Sequence, residues 1–520
     1  MFNLTKAELD DAFHAIRHHG YSAMLPEPPE WAAIVANWVT IRDALEKIDL
    51  DTYEPYKLMR VYAPKNRANI RVVHLLHPQD LLIYTALVLI AKNDIELNRV
   101  ALKAKRVFSY RTDISKQNIL YEARNSYAKY RQQLRAKCTV ASVKYVAVAD
   151  IADFYPRIYQ HRLENVIESV ATTQRVRDVA RVLVRKLIGN LMEKNSYGIP
   201  VGPYASRLLG EAILIDVDAM LQGAKSNFVR WVDDYSVFCK TEYEAQSILF
   251  TLGEFLFSKH GLTLQSAKTT IVPISDYRAK YLTEHEEHLS DRDAAIKALR
   301  ELSAGYEESE EIDESKVEDV LAILHGLDLK GMLETSLADT TLVDYEAVVY
   351  ALMKLPRILS ASAELKREVL NLVIDNAELL YPVAEHITKY VLSFTDLTAQ
   401  ERKKIANSLL KPLKSKRNPP PPYYAMWVLH VFLSGSEWNH AKDIVAIYAN
   451  TKSEVVRRYA ALAVNTSGTR ADVVSIKDDY VSASPLLKLA ILVASRRLGA
   501  DERKHWKQAN VLNGVIDKLI

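Results

Sequence analysis

The sequence predicts an α+β core followed by an all-α half. Between residues 60 and 275, short runs rich in β-branched and aromatic residues alternate with amphipathic helical stretches. Beyond about residue 280 no strand pattern recurs, and amphipathic helices of 12–18 residues follow one another. Only 15 Gly and 18 Pro in 520 residues leave few helix breakers, so helix should dominate. The expected organisation is an N-terminal helical segment over 1–50, a mixed core over 51–280 and a helical repeat domain over 281–520.

Composition bounds the class. At 49% hydrophobic and 26% charged residues the chain is ordinary for a globular protein with a large core. The most apolar stretch, 81–91, is too short to span a bilayer, and the N-terminus lacks a basic-then-apolar signal pattern. Cys138 and Cys239 alone exclude a disulfide framework and a four-cysteine zinc site; a reducing cytoplasm without membrane contact is expected.

The net charge of +3 hides an asymmetry. Residues 51–140 hold 17 Lys/Arg against 7 Asp/Glu, which suits a polyanionic ligand. Residues 284–319 hold 4 Lys/Arg against 14 Asp/Glu, which reads as a solvated face or linker.

Taken in order, Thr5 and Glu8 have capping-box spacing, and Leu9, Ala12, Phe13 and Ile16 follow at helical spacing to a stop at Gly20. His14, His18 and His19 on that helix read as a wet face, because no acidic group is placed to complete a metal site. A polar loop joins two short strands before His77, the second over 71–76. Lys65 and Arg71 then project from a hairpin, where two cations can grip a triphosphate or serve as ordinary surface charge. A buried helix follows over 79–91. Residues 99–137 interleave cations with Phe108, Tyr110, Tyr121, Tyr127 and Tyr130. That composition fits a single-strand groove and an amphipathic helix with a basic outer face equally.

Residues 146–151 read as a central strand interrupted by Asp150, and a lone buried carboxylate is costly unless a cation meets it. Asp153 fits a plain strand end. Tyr197-Gly-Ile-Pro-Val-Gly-Pro203 is a turn into a long apolar helix. In Phe228-Val-Arg-Trp-Val-Asp-Asp-Tyr-Ser-Val-Phe238 two strand-like runs flank Asp233-Asp234, which places the acidic pair at the tip of a tight hairpin. An amphipathic helix over 242–260 leads to a return strand, with Lys268 where it could meet a phosphate. Near the end, segments beginning at Pro422, Ser453 and Ser484 echo one another at an offset of 31 residues, the signature of an α-solenoid. The linker 411–422 reads as a basic, proline-rich connector, and His285-Glu-Glu-His288 lacks the spacing of a zinc peptidase helix.

Side by side, Asp150, Asp233 and Asp234 would form a carboxylate cluster for two Mg²⁺ ions, the arrangement for in-line phosphoryl displacement and hence nucleotidyl transfer. These residues also carry a resemblance. Asp150-Ile-Ala-Asp-Phe-Tyr155 resembles motif A of reverse transcriptases, Gly198-Ile-Pro-Val-Gly-Pro203 motif B, Trp231-Val-Asp-Asp234 motif C, and Leu262-Thr-Leu-Gln-Ser-Ala-Lys268-Thr motif D. Pro64-Lys65 with Arg71 is similar to the fingers motif, and Phe108-Ser-Tyr-Arg111 to the stretch before motif A. The resemblance implies a fingers and palm core. In it Asp150 and Asp233 are metal ligands supported by Asp234, with Mg²⁺ or Mn²⁺ as cofactor. Lys65, Arg71, Asp153, Phe154, Tyr155, Gly202 and Lys268 would surround the incoming dNTP, Tyr155 as the gate against a ribose 2′-OH.

Two departures refine it. Motif B usually has Gln then Gly-Ser, whereas this chain has Val201 then Gly202-Pro203, and no short thumb follows motif D. A reverse-transcriptase core fused to HEAT-like helices, in place of a normal thumb, is similar to bacterial abortive-infection enzymes of antiphage defence, most like their prophage-borne branch. That resemblance implies untemplated synthesis of single-stranded DNA, primed from and covalently attached to a tyrosine hydroxyl of the protein. It also implies a homo-oligomer, trimeric or hexameric. Among 28 Tyr the priming residue is not readable. The competing expectations are a templated RNA-dependent DNA polymerase of retron or intron type and a non-catalytic nucleic-acid-binding scaffold.

Overall fold

The computed structural model describes residues 1–65, 69–122, 126–282, 345–354, 363–415, 417, 419–511 and 514–520. The acidic stretch 284–319 and His285–His288 lie outside the described residues. The chain forms two compact units. The first holds residues 1–27, 38–58 and 76–286, and the second holds 28–37, 59–75 and 287–520.

The first unit is built on a four-stranded antiparallel sheet of order β4-β5-β3-β6. The strands are β3 (Tyr145–Asp150), β4 (Phe228–Trp231), β5 (Asp234–Cys239) and β6 (Thr270–Pro273). Side-chain alternation sends Val146, Val148, Val229, Trp231, Phe238 and Val272 to one face. There they pack with Tyr130, Leu134 and Cys138 of helix Ser126–Cys138, and with Tyr277. Helix Glu242–Phe255 covers the other face against β3 and β5. Of the expected 242–260 helix, the last turn, Leu256–His260, widens into a π-helical turn closed by Gly261 at φ 66.

Helix Pro78–Asn98 is buried from Pro78 to Leu89, so its apolar run is core rather than a membrane segment. Its Asp80 accepts from the Tyr53 hydroxyl at 2.6 Å and the Tyr56 N–H at 3.0 Å. Helix Lys6–His19 packs on it, opened by the Thr5/Glu8 capping box and stopped at Gly20. His19 departs from the expected wet face: it accepts the Leu120 N–H at 3.2 Å and lies beside Tyr121 and Tyr204. Burial, then the charges of His18 and Arg207, push its imidazole down to about 4.

The second unit contains the hairpin of β1 (Met59–Pro64) and β2 (Ile70–Leu75) and a succession of helices. Helices Ala384–Leu392, Pro422–Val431, Glu454–Ser467 and Pro485–Ala494 pack each on the next, with further helices between them in sequence. The compact units do not follow the sequence boundaries at 50 and 280, for two physical reasons. The hairpin packs on helix Pro422–Val431. In addition, Glu30 of helix Glu30–Ala36 is paired with Arg458 of helix Glu454–Ser467, both fully buried. Among the described residues no helix is long and apolar enough to cross a membrane.

Candidate active site

Register brings the acidic residues together. Asp150 ends β3 directly opposite Asp234, which begins β5, so both carboxylates share the sheet face that carries Trp231. The hairpin is displaced by one residue from the sequence expectation. Its turn is Val232-Asp233, and Asp234 already belongs to the ladder. Asp233 remains tied to β3, because its carbonyl accepts the Ile151 N–H at 3.3 Å.

Asp150 is buried, at 7% exposure. Its carboxylate accepts from the Lys268 ammonium, and its carbonyl accepts the Gln265 N–H at 2.7 Å, so the loop before β6 is bound to it twice. Only 270–273 of the expected return strand is ladder; Lys268 stands in the turn before it. The bond to Asp150 holds the Lys268 ammonium above its usual range. Lost hydration and then the charges of Asp233 and Asp150 push the Asp234 carboxyl up to about 7, although Asp234 is itself exposed.

Crowded anionic oxygens of this kind fit a hard divalent cation. Among the described residues no three or more His, Cys, Asp or Glu side chains form a ready-made metal cage.

The chain after β3 shapes the neighbouring wall. Ala152 N–H donates to Thr263 O at 2.8 Å, and Asp153 turns the chain at φ 45 into the short helix Phe154–Arg157. Asp153 is exposed and lines a cavity of about 500 Å³ with Pro156, Arg157, Tyr197 and Gly261. Phe154 is buried, and Tyr155 is half-buried against Gly210 of helix Ala205–Ile213. Burial, with Tyr110, Glu211 and Asp233 nearby, holds the Tyr155 hydroxyl far above its usual range. Gly202, at φ 121, accepts the Ala23 N–H at 3.1 Å. Lys65 and Arg71 are exposed on the β1–β2 hairpin of the second unit.

Sequence reasoning missed a buried polar network behind the hairpin. Arg230 of β4 is fully buried; it donates to Asp218 at 2.9 and 2.6 Å and to the Val232 carbonyl at 2.7 Å, and pairs with Glu211 at 3.0 Å. Arg99 reaches Glu211 at 2.5 Å, and Ser109 donates to Glu211 while accepting the Val232 N–H at 3.0 Å. Burial alone would raise the Glu211 carboxyl, but Arg230 and Arg99 hold it below the usual range. At Asp218 burial wins and the carboxyl stays raised. The available signal was a charge inside each apolar run, Arg230 in Phe228-Val-Arg-Trp231 and Glu211 in Leu208-Leu-Gly-Glu-Ala-Ile213.

Comparison with known proteins fits this geometry. Residues 89–288 match the family model described as reverse transcriptase (RNA-dependent DNA polymerase). The chain therefore carries a reverse transcriptase domain, a nucleotidyltransferase fold that generally works with divalent metal ions. No curated protein matches the chain. Among solved structures, apo telomerase from Candida tropicalis is 11% identical, with 70% of this chain and 72% of that chain covered and a TM-score of 0.32. Telomerase from Candida albicans with a TWJ fragment of telomeric RNA is 12% identical, with 71% and 64% covered and a TM-score of 0.33. The Candida tropicalis enzyme with that fragment is 12% identical, with 73% and 67% covered and a TM-score of 0.32.

Proposed function

We propose that the chain is a DNA polymerase of bacterial antiphage abortive infection, which adds dNMP units without a template to a tyrosine hydroxyl of its own chain. The observation that carries the catalytic part is Asp150 facing Asp234 across β3 and β5 with Asp233 on the adjoining turn. Mg²⁺ or Mn²⁺ bound there would supply charge neutralisation at the reacting phosphate. Asp150, Asp233 and Asp234 would hold it, and Lys268 would place a cation beside the triphosphate. Asp153, Phe154 and Gly202 would line the nucleotide site, with Tyr155 gating the sugar and Lys65 and Arg71 gripping phosphates. In the first addition the tyrosine oxygen bonds to the α-phosphorus, the bond from that phosphorus to the bridging oxygen of the β-phosphate breaks, pyrophosphate leaves, and the hydroxyl proton passes to solvent water.

Val201-Gly202-Pro203 in place of Gln and Gly-Ser supports untemplated addition. On this reading the successive helices of the second unit act as a HEAT-like repeat that guides single-stranded product within a cytoplasmic trimer or hexamer. The description of the matching family, an RNA-dependent DNA polymerase, favours a second reading, templated copying of retron or intron type.

Purified protein with labelled dNTPs and Mg²⁺, without nucleic acid, separates these. Label that partitions with protein into phenol supports the first reading, whereas strict need for an added template and primer supports the second. Phage protection that survives Asp233→Ala would instead make the chain a non-catalytic nucleic-acid-binding scaffold.

A further inference from the structure

We infer that Ser109, Glu211 and Arg230 are positioning residues which hold the Val232-Asp233 turn in a conformation it would not keep alone. Val232 sits at φ 52. For a β-branched residue the left-handed region is strained, and such strain persists only where the surroundings over-determine it.

The surroundings here do so. Both backbone polar groups of Val232 are taken by buried side chains: its N–H by the Ser109 Oγ at 3.0 Å, and its carbonyl by the Arg230 Nη1 at 2.7 Å. Ser109 is 123 residues distant in sequence, so the first bond is tertiary rather than part of the hairpin ladder. Glu211, fully buried, ties the two clamps together, since one carboxylate oxygen accepts from Ser109 and the other pairs with Arg230 and Arg99. The clamp is therefore one rigid object whose two arms close on a single residue.

Stability alone does not explain this arrangement. Buried ion networks are weak evidence for stability, because apolar side chains of similar volume often serve as well or better. Apolar groups, however, could not accept the Val232 N–H or donate to its carbonyl. What the network fixes is the direction in which the chain leaves Val232, and so where Asp233 points. Asp234 is held separately by the strand ladder. Loss of the clamp should therefore act on Asp233 and spare Asp234.

The inference rests on the polymerase reading for its activity and Tb³⁺ measurements, and hydrogen exchange stands apart from that reading. The test uses full-length protein with Ser109→Ala, Val232→Gly and both together. Amide hydrogen exchange of the hairpin, Tb³⁺ luminescence sensitised by Trp231, and dNTP incorporation are measured on each. Ser109→Ala should speed exchange at Val232 by about tenfold, weaken Tb³⁺ binding, and lower kcat by about tenfold with KM little changed, the size expected when a strained turn relaxes. Glycine takes positive φ unaided, so adding Val232→Gly should return kcat and Tb³⁺ binding to within about threefold of Val232→Gly alone.

Wild-type exchange in a folded Ser109→Ala protein, or a double variant as poor as Ser109→Ala, would overturn the inference. If wild-type protein incorporates nothing under any condition, the polymerase reading fails, while hydrogen exchange at Val232 still decides this one. Should Ser109→Ala not fold, Ser109→Cys, with similar volume and a poorer acceptor, takes its place, and wild-type protection there would overturn it equally.

Discussion

Gly210 lies directly beneath Tyr155: a Cβ at residue 210 would stand 3.0 Å from the Tyr155 Cε1 and 3.2 Å from its hydroxyl oxygen. It would also stand 3.2 Å from the Phe154 Cε1. The glycine is thus the floor on which the two aromatic rings after Asp150 rest. In a helix interior, alanine is favoured over glycine by about 1 kcal/mol. Crowding of the two rings costs about 1–3 kcal/mol and offsets that gain, so Gly210→Ala should leave the thermal midpoint unchanged or lower it by a few degrees while shifting the Tyr155 ring by a few tenths of an ångström. Since a 1 Å misplacement costs about 10²-fold, incorporation should drop by about three- to tenfold. Steady-state kinetics beside a melting curve measure both, and unchanged kinetics would mean the ring position is not limiting.

Asp150→Asn should separate activity from stability more sharply. The carboxylate is crowded by Asp234, and its removal lets the Asp234 carboxyl ionise more readily. On the proposed role of Asp150 as a ligand of the cation, its loss would cost several kcal/mol at the transition state, so incorporation should decline by about 10²- to 10³-fold. The folded protein should melt within a few degrees of wild type. A large loss of melting temperature would show that Asp150 serves the fold more than the chemistry.

Asp80 gives a pH signature. Its carboxyl is pushed up to about 8 by burial, against the opposing bonds from Tyr53 and Tyr56. A carboxyl raised in the folded state stabilises the fold fully below its ordinary value near 3.8, and that contribution is lost as pH rises through about 8. Wild-type protein should therefore lose melting temperature steadily from pH 5 to pH 9. Asp80→Asn, neutral throughout, should flatten that slope. Parallel slopes for the two proteins would assign the pH dependence elsewhere.

The Arg458–Glu30 pair makes a stability prediction in the second unit. Both side chains are fully buried, and Arg458 also donates to the Leu486 carbonyl. Arg458→Met strands the Glu30 carboxylate and should cost about 3–5 kcal/mol. Adding Glu30→Met removes the stranded charge and should recover most of that loss. Denaturant melts of the two variants decide it; a double variant no better than the single would show that the bond to Leu486 carries the effect.

The meeting of Asp150 and Asp234 across the sheet was legible because these aspartates interrupt local patterns. Asp150 breaks an apolar strand, and Asp233-Asp234 divides two β-prone runs. The order of strands and helices through the core was legible for the same reason. The turn was misplaced by one residue because local preference disfavours a valine at positive φ, and the Ser109 and Arg230 groups that impose it come from elsewhere in the fold. His19 was misread because its face is set by Tyr121 and Tyr204, which only the tertiary fold brings to it. The interleaving of the units was likewise hidden: nothing local in 28–37 or 59–75 announces that these segments cluster with residues 287–520.

That interleaving bears on how the molecule is made. Glu30 meets Arg458 across 428 positions of chain, so during synthesis at about 5–20 residues per second it waits roughly 20–90 seconds for its counter-charge. Throughout that interval helix Glu30–Ala36 lacks the surface it is destined to cover, and the nascent chain needs either a temporary shield or a delay in collapse. A chain cut anywhere between residues 37 and 454 would leave that pair to form between two separate pieces.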